Sequence, residues 1–330
     1  MTPTARHLIA AAALAVPLAA AASYVHREEA REFAREMSDA HGFDVTELYA
    51  VLNRARHEQK VIELIRPPAT PAERSWQRYR ARFLDGKRIE GGVAFWRQHR
   101  DTVRRASAEF GVPEEVIVAI IGVETFYGRH TGNFETVSAL ATLAFDYPPR
   151  APLFRRELEQ LLLLAREQRR DPFSYYGSYA GAVGYPQFLP SSVRHYAVDF
   201  DGDGRIDFDA SPADAIGSVA NYLSTHGWQA GQPVAEPARL APGTAAQALV
   251  DAGIDPSLAP ETLTEAGVTR LDGSPAAATA TLVDLITPNA DTEYWLGYRN
   301  FYVITRYNRS SFYAMAVFQL AEALRRANGE

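Results

Sequence analysis

The sequence predicts a mainly α fold of the α+β kind, and three observations carry the prediction. Apolar residues recur at helical spacing along most of the chain, as at Val116, Ile117, Ile120, Ile121 and Val123. Between about 230 and 290 the composition shifts to Ala, Pro, Thr and Gly with short alternating stretches such as Ala278–Ile286, which reads as a small β-containing insertion. At 330 residues and 47% hydrophobic content, the chain can bury a large core divided into two or three lobes. The expected organisation is a leader over 1–22, a helical N-terminal lobe over 23–105 and a central helical core over 106–230. The small β-containing domain follows over 231–290, and a segment over 291–330 returns to the core.

The leader reads as an export signal. Arg6 and His7 precede an apolar run from Leu8 to Ala22, which ends in Ala20, Ala21 and Ala22 before Ser23. The run is short for a membrane span and contains Pro17, so an uncleaved inner-membrane anchor is the weaker reading. Residues 23–66 are charged and helical in pattern, with an amphipathic helix through Glu28–Met37 and a turn at 43–48 into a second helix. Pro67 and Pro68 break the chain. Residues 74–99 carry Trp76, Tyr79, Phe83, Phe95 and Trp96, a set that spacing favours as core, although Tyr79 and Arg80 could line a groove.

The stretch 111–133 organises the rest. Pro113 suits the first helical position, and Glu114 and Glu115 suit the positive end of the dipole. Ile117, Ile121 and Glu124 fall at i, i+4 and i+7, so the glutamate continues an apolar stripe at the negative helix end. Lost hydration and the helix end both raise its pKa, and a glutamate kept protonated near neutrality is a general acid. Phe126, Tyr127 and Gly128 suit a sugar cleft. A second helix is expected over Glu135–Phe145, a turn over 146–150, and a buried helix over Pro152–Gln168 with its Leu161–Leu164 run. In 177–192 the glycines and prolines let backbone approach a ligand or a helix closely, leaving Ser178 and Gln187 as polar candidates.

The run from Asp199 to Asp207 matches the opening of an EF-hand loop. Asp199, Asp201 and Asp203 stand at positions 1, 3 and 5, Gly204 at 6 and Ile206 at 8. Position 12 is Ala210 rather than glutamate, so the remaining ligand is expected from Asp214. Residues 212–228 form another helix, and a closing helix begins at Ser311. Charge and composition exclude other classes. A net charge of -6 argues against nucleic acid or an anionic membrane surface as partner. Without cysteine there is no disulfide framework, no thiol nucleophile and no lipid-anchor cysteine, and the eight histidines form no zinc spacing.

Six blocks, IGVETFYGRHTGN, SALATLAFDYPPR, GSYAGAVGYPQFLPSS, AVDFDGDGRIDF, DAIGSVANYLSTHGW and FYVITRYNRSSFYAMAV, run in order from about residue 76 to 320. Together they resemble the lytic transglycosylase B family of bacterial peptidoglycan enzymes. The resemblance implies a lysozyme-like helical core with a helical N-terminal lobe and a small β domain. It implies periplasmic cleavage of the β-1,4 bond between N-acetylmuramic acid and N-acetylglucosamine, with a 1,6-anhydro product. Glu124 matches the family's catalytic acid. Ser178, Gln187, Phe188, Tyr222, Tyr307 and Asn308 match cleft residues, as do Tyr79 and Arg150. Asp199, Asp201, Asp203 and Asp214 match its calcium loop, with Arg205 contributing its carbonyl, so Ca2+ is expected and no organic cofactor. Three departures stand out: Pro149 in place of a second arginine, Pro186 in place of a glycine, and one extra residue before Asp214. The rival expectations are a hydrolytic lysozyme and a non-catalytic peptidoglycan-binding protein.

Overall fold

The computed structural model describes residues 23–67 and 73–329. The expected leader and Pro68 lie outside the described residues. Contacts divide the chain into two compact units, one ending at His57 and the other beginning at Glu58.

In the first unit a short 3-10 turn, Tyr24–His26, precedes two helices, Glu28–His41 and Val45–Arg54. The first helix buries Ala30, Phe33, Ala34 and Met37, the i, i+3, i+4, i+7 stripe that its sequence shows. It runs one turn past the expected end at Met37, to Gly42, which closes it in a left-handed conformation. Asp44 caps the second helix by accepting from the Thr46 N–H at 2.7 Å.

The second unit contradicts the boundary expected at 105/106, which falls inside the helix Arg100–Phe110. That helix buries Val103 and Ala106 against the helices Glu114–Thr125 and Pro212–Thr225, so cutting there would expose its apolar stripe. At the centre lies Glu114–Thr125, buried at every position from Val116 to Val123. The one-sided stripe expected for it gives way to a helix that is apolar all round, because neighbours cover every face. These are the helices Gly86–Gln98, Arg100–Phe110, Pro212–Thr225 and Ser311–Asn328. Thr136–Asp146 and Ala151–Glu167 pack as a pair beside this centre.

Two sheets complete the unit. Strands β1 (Phe134–Glu135) and β2 (Tyr176–Gly177) form a small antiparallel ribbon. Strands β3 (Ala235–Leu240), β4 (Val268–Arg270), β5 (Thr281–Leu285) and β6 (Glu293–Gly297) form an antiparallel sheet in the order β4-β3-β6-β5. Leu263, Val268, Ala280, Leu282, Leu296 and Tyr298 give this region its own core. The insertion therefore extends past the expected end at 290, because β6 pairs with both β3 and β5. The return to the helical core begins only at Arg299–Thr305.

Candidate active site

The site is built on the end of the central helix. After Thr125 the chain turns through Phe126 and Tyr127, both left-handed at φ 53° and 61°. Non-glycine residues in such a conformation cost on the order of 1–3 kcal/mol each, so the surroundings must hold them there. Tyr127 is held by packing: its ring lies so close to Gly122 that an added Cβ there would approach the hydroxyl to 2.6 Å. Thr125 Oγ1 donates to the Tyr185 carbonyl and accepts from the Gly128 N–H, both at 3.0 Å. Gly128 itself has φ 84°, and a side chain there would strike the Tyr185 ring. Tyr127, expected in a sugar cleft, is instead core: it is 8% exposed, and its hydroxyl has no hydrogen-bond partner among the described residues. Phe126 is half-buried between the guanidinium groups of Arg88 and Arg129, 4.7 and 4.8 Å from its ring.

This turn fixes Glu124 as the last residue but one of the helix. Burial pushes its carboxyl up to about 7, against the opposing pull of one hydrogen bond. That bond comes from Tyr313, whose hydroxyl donates to Glu124 Oε1 at 2.5 Å. The other carboxylate oxygen has no hydrogen-bond partner among the described residues. Burial raises the phenols of Tyr79, Tyr222 and Tyr307 above their ordinary range, and the glutamate's charge adds to it in each. For Tyr222 the value is about 12. The Tyr222 hydroxyl donates to the Arg306 carbonyl at 2.8 Å, and the Tyr307 hydroxyl to the Pro186 carbonyl at 3.1 Å. An aromatic wall drawn from four separate segments thus surrounds one carboxyl.

The other expected site residues take different places. Gln187, left-handed at φ 51°, spends its side-chain amide on the Thr131 and Gly184 carbonyls, each at 2.9 Å. It ties the loop after Glu124 to the loop that carries Tyr185. Ser178 Oγ accepts from the Ala182 N–H at 3.1 Å, which closes the next turn. Phe188, expected as a cleft contact, is only 2% exposed and packs behind Tyr222 and Tyr307, 5.4 and 5.8 Å away by ring centroid. Asn308 is exposed beside Tyr307. Arg150 is exposed too and lies over the Phe154 ring at 5.2 Å. Tyr313 escaped the sequence reading. Its one signal is a hydroxyl in the first turn of a helix whose neighbours Phe312, Ala314, Met315 and Ala316 are all buried.

In the acidic loop, carboxylate oxygens of Asp199, Asp201 and Asp203 lie within 4.8 Å of one another, all three residues exposed. Asp199 is set by the N–H groups of Gly202 and Gly204, both at 2.8 Å. Asp203 is set by that of Arg205 at 2.9 Å. Asp214, expected as a ligand, does not join them. It is fully buried, with Oδ1 accepting from the Phe200 N–H at 2.7 Å and Oδ2 from the Asp207 N–H at 2.9 Å. Burial pushes its carboxyl up while these backbone donors pull it back. The extra residue before it places Asp214 in the first turn of Pro212–Thr225, where it tethers the loop from inside.

The model of the transglycosylase SLT domain matches residues 26–322. The chain belongs to this family. It is 42% identical over 313 residues to the membrane-bound lytic murein transglycosylase B of Escherichia coli, covering 91% of this chain and 84% of that protein. The soluble lytic transglycosylase SltB1 of Pseudomonas aeruginosa superposes with a TM-score of 0.84 at 47% identity, over 92% of this chain and all (100%) of that one. The E. coli lytic transglycosylase Slt35, solved in complex with calcium, superposes with a TM-score of 0.81 at 42% identity, over 92% and 94% of the two chains. The SLT-family fold is therefore the lysozyme-like one that the sequence blocks imply.

Proposed function

We infer that Glu124 is both acid and base in this chain, a lytic murein transglycosylase that cleaves peptidoglycan between N-acetylmuramic acid and N-acetylglucosamine. The observation that carries the assignment is one half-buried glutamate at an apolar helix end, its carboxyl held by a single tyrosine donor and pushed up to about 7 by lost hydration. A carboxyl poised there is protonated often enough to give a proton and ionised often enough to take one back. Glu124 protonates the glycosidic oxygen as its bond to the muramoyl anomeric carbon breaks, and the sugar's own N-acetyl group stabilises the cationic carbon. The glutamate then removes the proton from the muramoyl 6-hydroxyl, whose oxygen closes on that carbon. No water enters the product, and Glu124 ends as it began, protonated.

Two-carboxylate glycosidases need a partner about 5–10 Å across the bond. Among the described residues no second carboxylate acts on Glu124, and Glu135, near in sequence, accepts from Ser138 instead. The ring is held by Tyr79, Tyr222 and Tyr307, with Asn308 and Ser178 supplying polar contacts. Gln187 and Phe188 act from behind by fixing the loop and the wall, and Arg150 reaches a peptide stem farther out. Asp199, Asp201 and Asp203, with the Arg205 carbonyl, bind Ca2+ as a brace. Their hard oxygens lie within 4.8 Å of one another, as oxygens sharing one ion at about 2.4 Å must. The stretch at residues 6–22 directs export to the periplasm, where the substrate lies. Among the described residues no helix is long and apolar enough to cross a membrane.

Digestion of purified sacculi in ¹⁸O-labelled water tests the reaction. Label-free anhydromuramoyl ends, about 20 mass units below ends hydrolysed by the labelled water, are expected, because a positioned intramolecular hydroxyl has an effective concentration on the order of 10⁵ M or more. Labelled reducing ends would make the protein a lysozyme.

A further inference from the structure

The closing helix, Ser311–Asn328, has two working faces. Tyr313 faces Glu124. Glu322, nine residues on, lies about half a turn around the helix, and there it borders a cavity of about 710 Å³ that Glu124 does not line. Trp76, Arg80, Trp295, Phe318 and Gln319 line it as well. The volume lies within the roughly 300–1,000 Å³ usual for small-ligand sites.

We propose that this cavity is a second glycan-binding site, which holds a pyranose of a peptidoglycan strand away from the catalytic groove. The proposal rests on the reading of the chain as a peptidoglycan enzyme. Trp295 and Phe318 meet edge to face at 6.2 Å and offer the half-buried aromatic surface on which a sugar ring stacks. Around them stand planar polar groups that both donate and accept, as vicinal hydroxyls require. Arg80 Nε donates to Gln319 Oε1 at 2.7 Å, leaving the guanidinium's terminal nitrogens for a ligand. Glu322 accepts from Arg325 at 2.9 Å and lies 3.6 Å from Arg326, while Glu293 is exposed and unpaired among the described residues. Two arginines and two glutamates line it, so the cavity carries no net formal charge and does not exclude the lactyl carboxylate of a muramoyl residue. Trp76, 1% exposed, backs the cavity as a further aromatic ring.

A peptide-free tetrasaccharide of alternating N-acetylglucosamine and N-acetylmuramic acid is the probe, titrated calorimetrically into the full chain carrying Glu124→Gln. Two sites per chain are expected, falling to one when Trp295→Ala is added. Glu293→Lys, at an exposed position that does not threaten folding, serves as the second variant and weakens the same site. In the active enzyme, Trp295→Ala leaves kcat on the tetrasaccharide unchanged and raises KM on intact sacculi about tenfold, since a linked second contact multiplies avidity. One site in the Glu124→Gln chain overturns the proposal. So do two sites that persist in both variants, or a cavity that takes free stem peptide in place of the glycan. Failure of the transglycosylase reading shows separately, as hydrated product from the active enzyme whatever the stoichiometry.

Discussion

Glu124 and the acidic loop at 199–214 carry the same functional group in opposite settings. Glu124 is one carboxyl in an apolar helix end, with a tyrosine as its hydrogen-bond partner and a pKa raised to about 7 by burial. Asp199, Asp201 and Asp203 are three exposed carboxylates brought within 4.8 Å by backbone N–H groups. Burying a single carboxyl makes it a proton carrier. Crowding several at the surface makes them a seat for a hard cation, since their repulsion is relieved by an ion and not by a proton at neutral pH. What separates the two is the company each carboxyl keeps.

The comparison breaks most sharply at Glu124. Glu124→Gln removes the proton in transit, and muropeptide release should fall by about 10²–10⁴-fold, the usual worth of acid–base catalysis. A rate near wild type would end the assignment. The same variant tests the burial. The glutamate's folded pKa lies near 7 and its ordinary value is 4.5, so above about pH 7 the native state carries a desolvated charge. As pH falls from 7 towards 4.5 the native state takes up a proton that the unfolded chain does not, and the penalty disappears. At about pH 8 the glutamine variant should therefore be more stable than wild type by about 1–3 kcal/mol, and the two should converge by about pH 4.5. Denaturant titrations at both pH values check it.

The next largest effect separates loop tether from ligand. Asp214→Ala strands the N–H groups of Phe200 and Asp207 and should cost about 2–4 kcal/mol even with chelator present, measured by urea unfolding. A loss seen only with calcium would instead make Asp214 a ligand. Calcium at about a hundred times its Kd should stabilise the wild type by about 2.7 kcal/mol, and Asp201→Ala with Asp203→Ala should abolish that gain in a melting experiment. The smallest effect is at Tyr313. Tyr313→Phe deletes the bond that pulls the Glu124 pKa down, so the alkaline limb of kcat/KM should move to higher pH, with a rate loss of about tenfold from poorer positioning. A tyrosine that merely packs would leave the limb in place.

Much of this was legible in the chain itself. Glu124, the aspartates of the loop and the helices either side lie in contiguous motifs, where local spacing and local structure are one problem. The reading failed where identity had to be resolved by depth. Aromatic character alone does not say whether Phe188 and Tyr127 form a wall or back it, and the structure buries both. Spacing alone does not say whether Asp214 faces the ion or the backbone. The boundary expected at 105/106 fell inside a helix because the partners of Val103 and Ala106 lie in helices beginning at 114 and 212. Tyr313 was missed for a similar reason: it stands 189 residues from the carboxyl it serves.

That separation sets an order of assembly. A polypeptide made from its N-terminus presents Glu124 long before Tyr313, and the hydrogen bond between them cannot form until the closing helix, Ser311–Asn328, has been made. Until then the carboxyl has no partner and the aromatic wall lacks Tyr307 as well. The position of one tyrosine thus leaves the carboxyl without its donor until synthesis of the chain is nearly done.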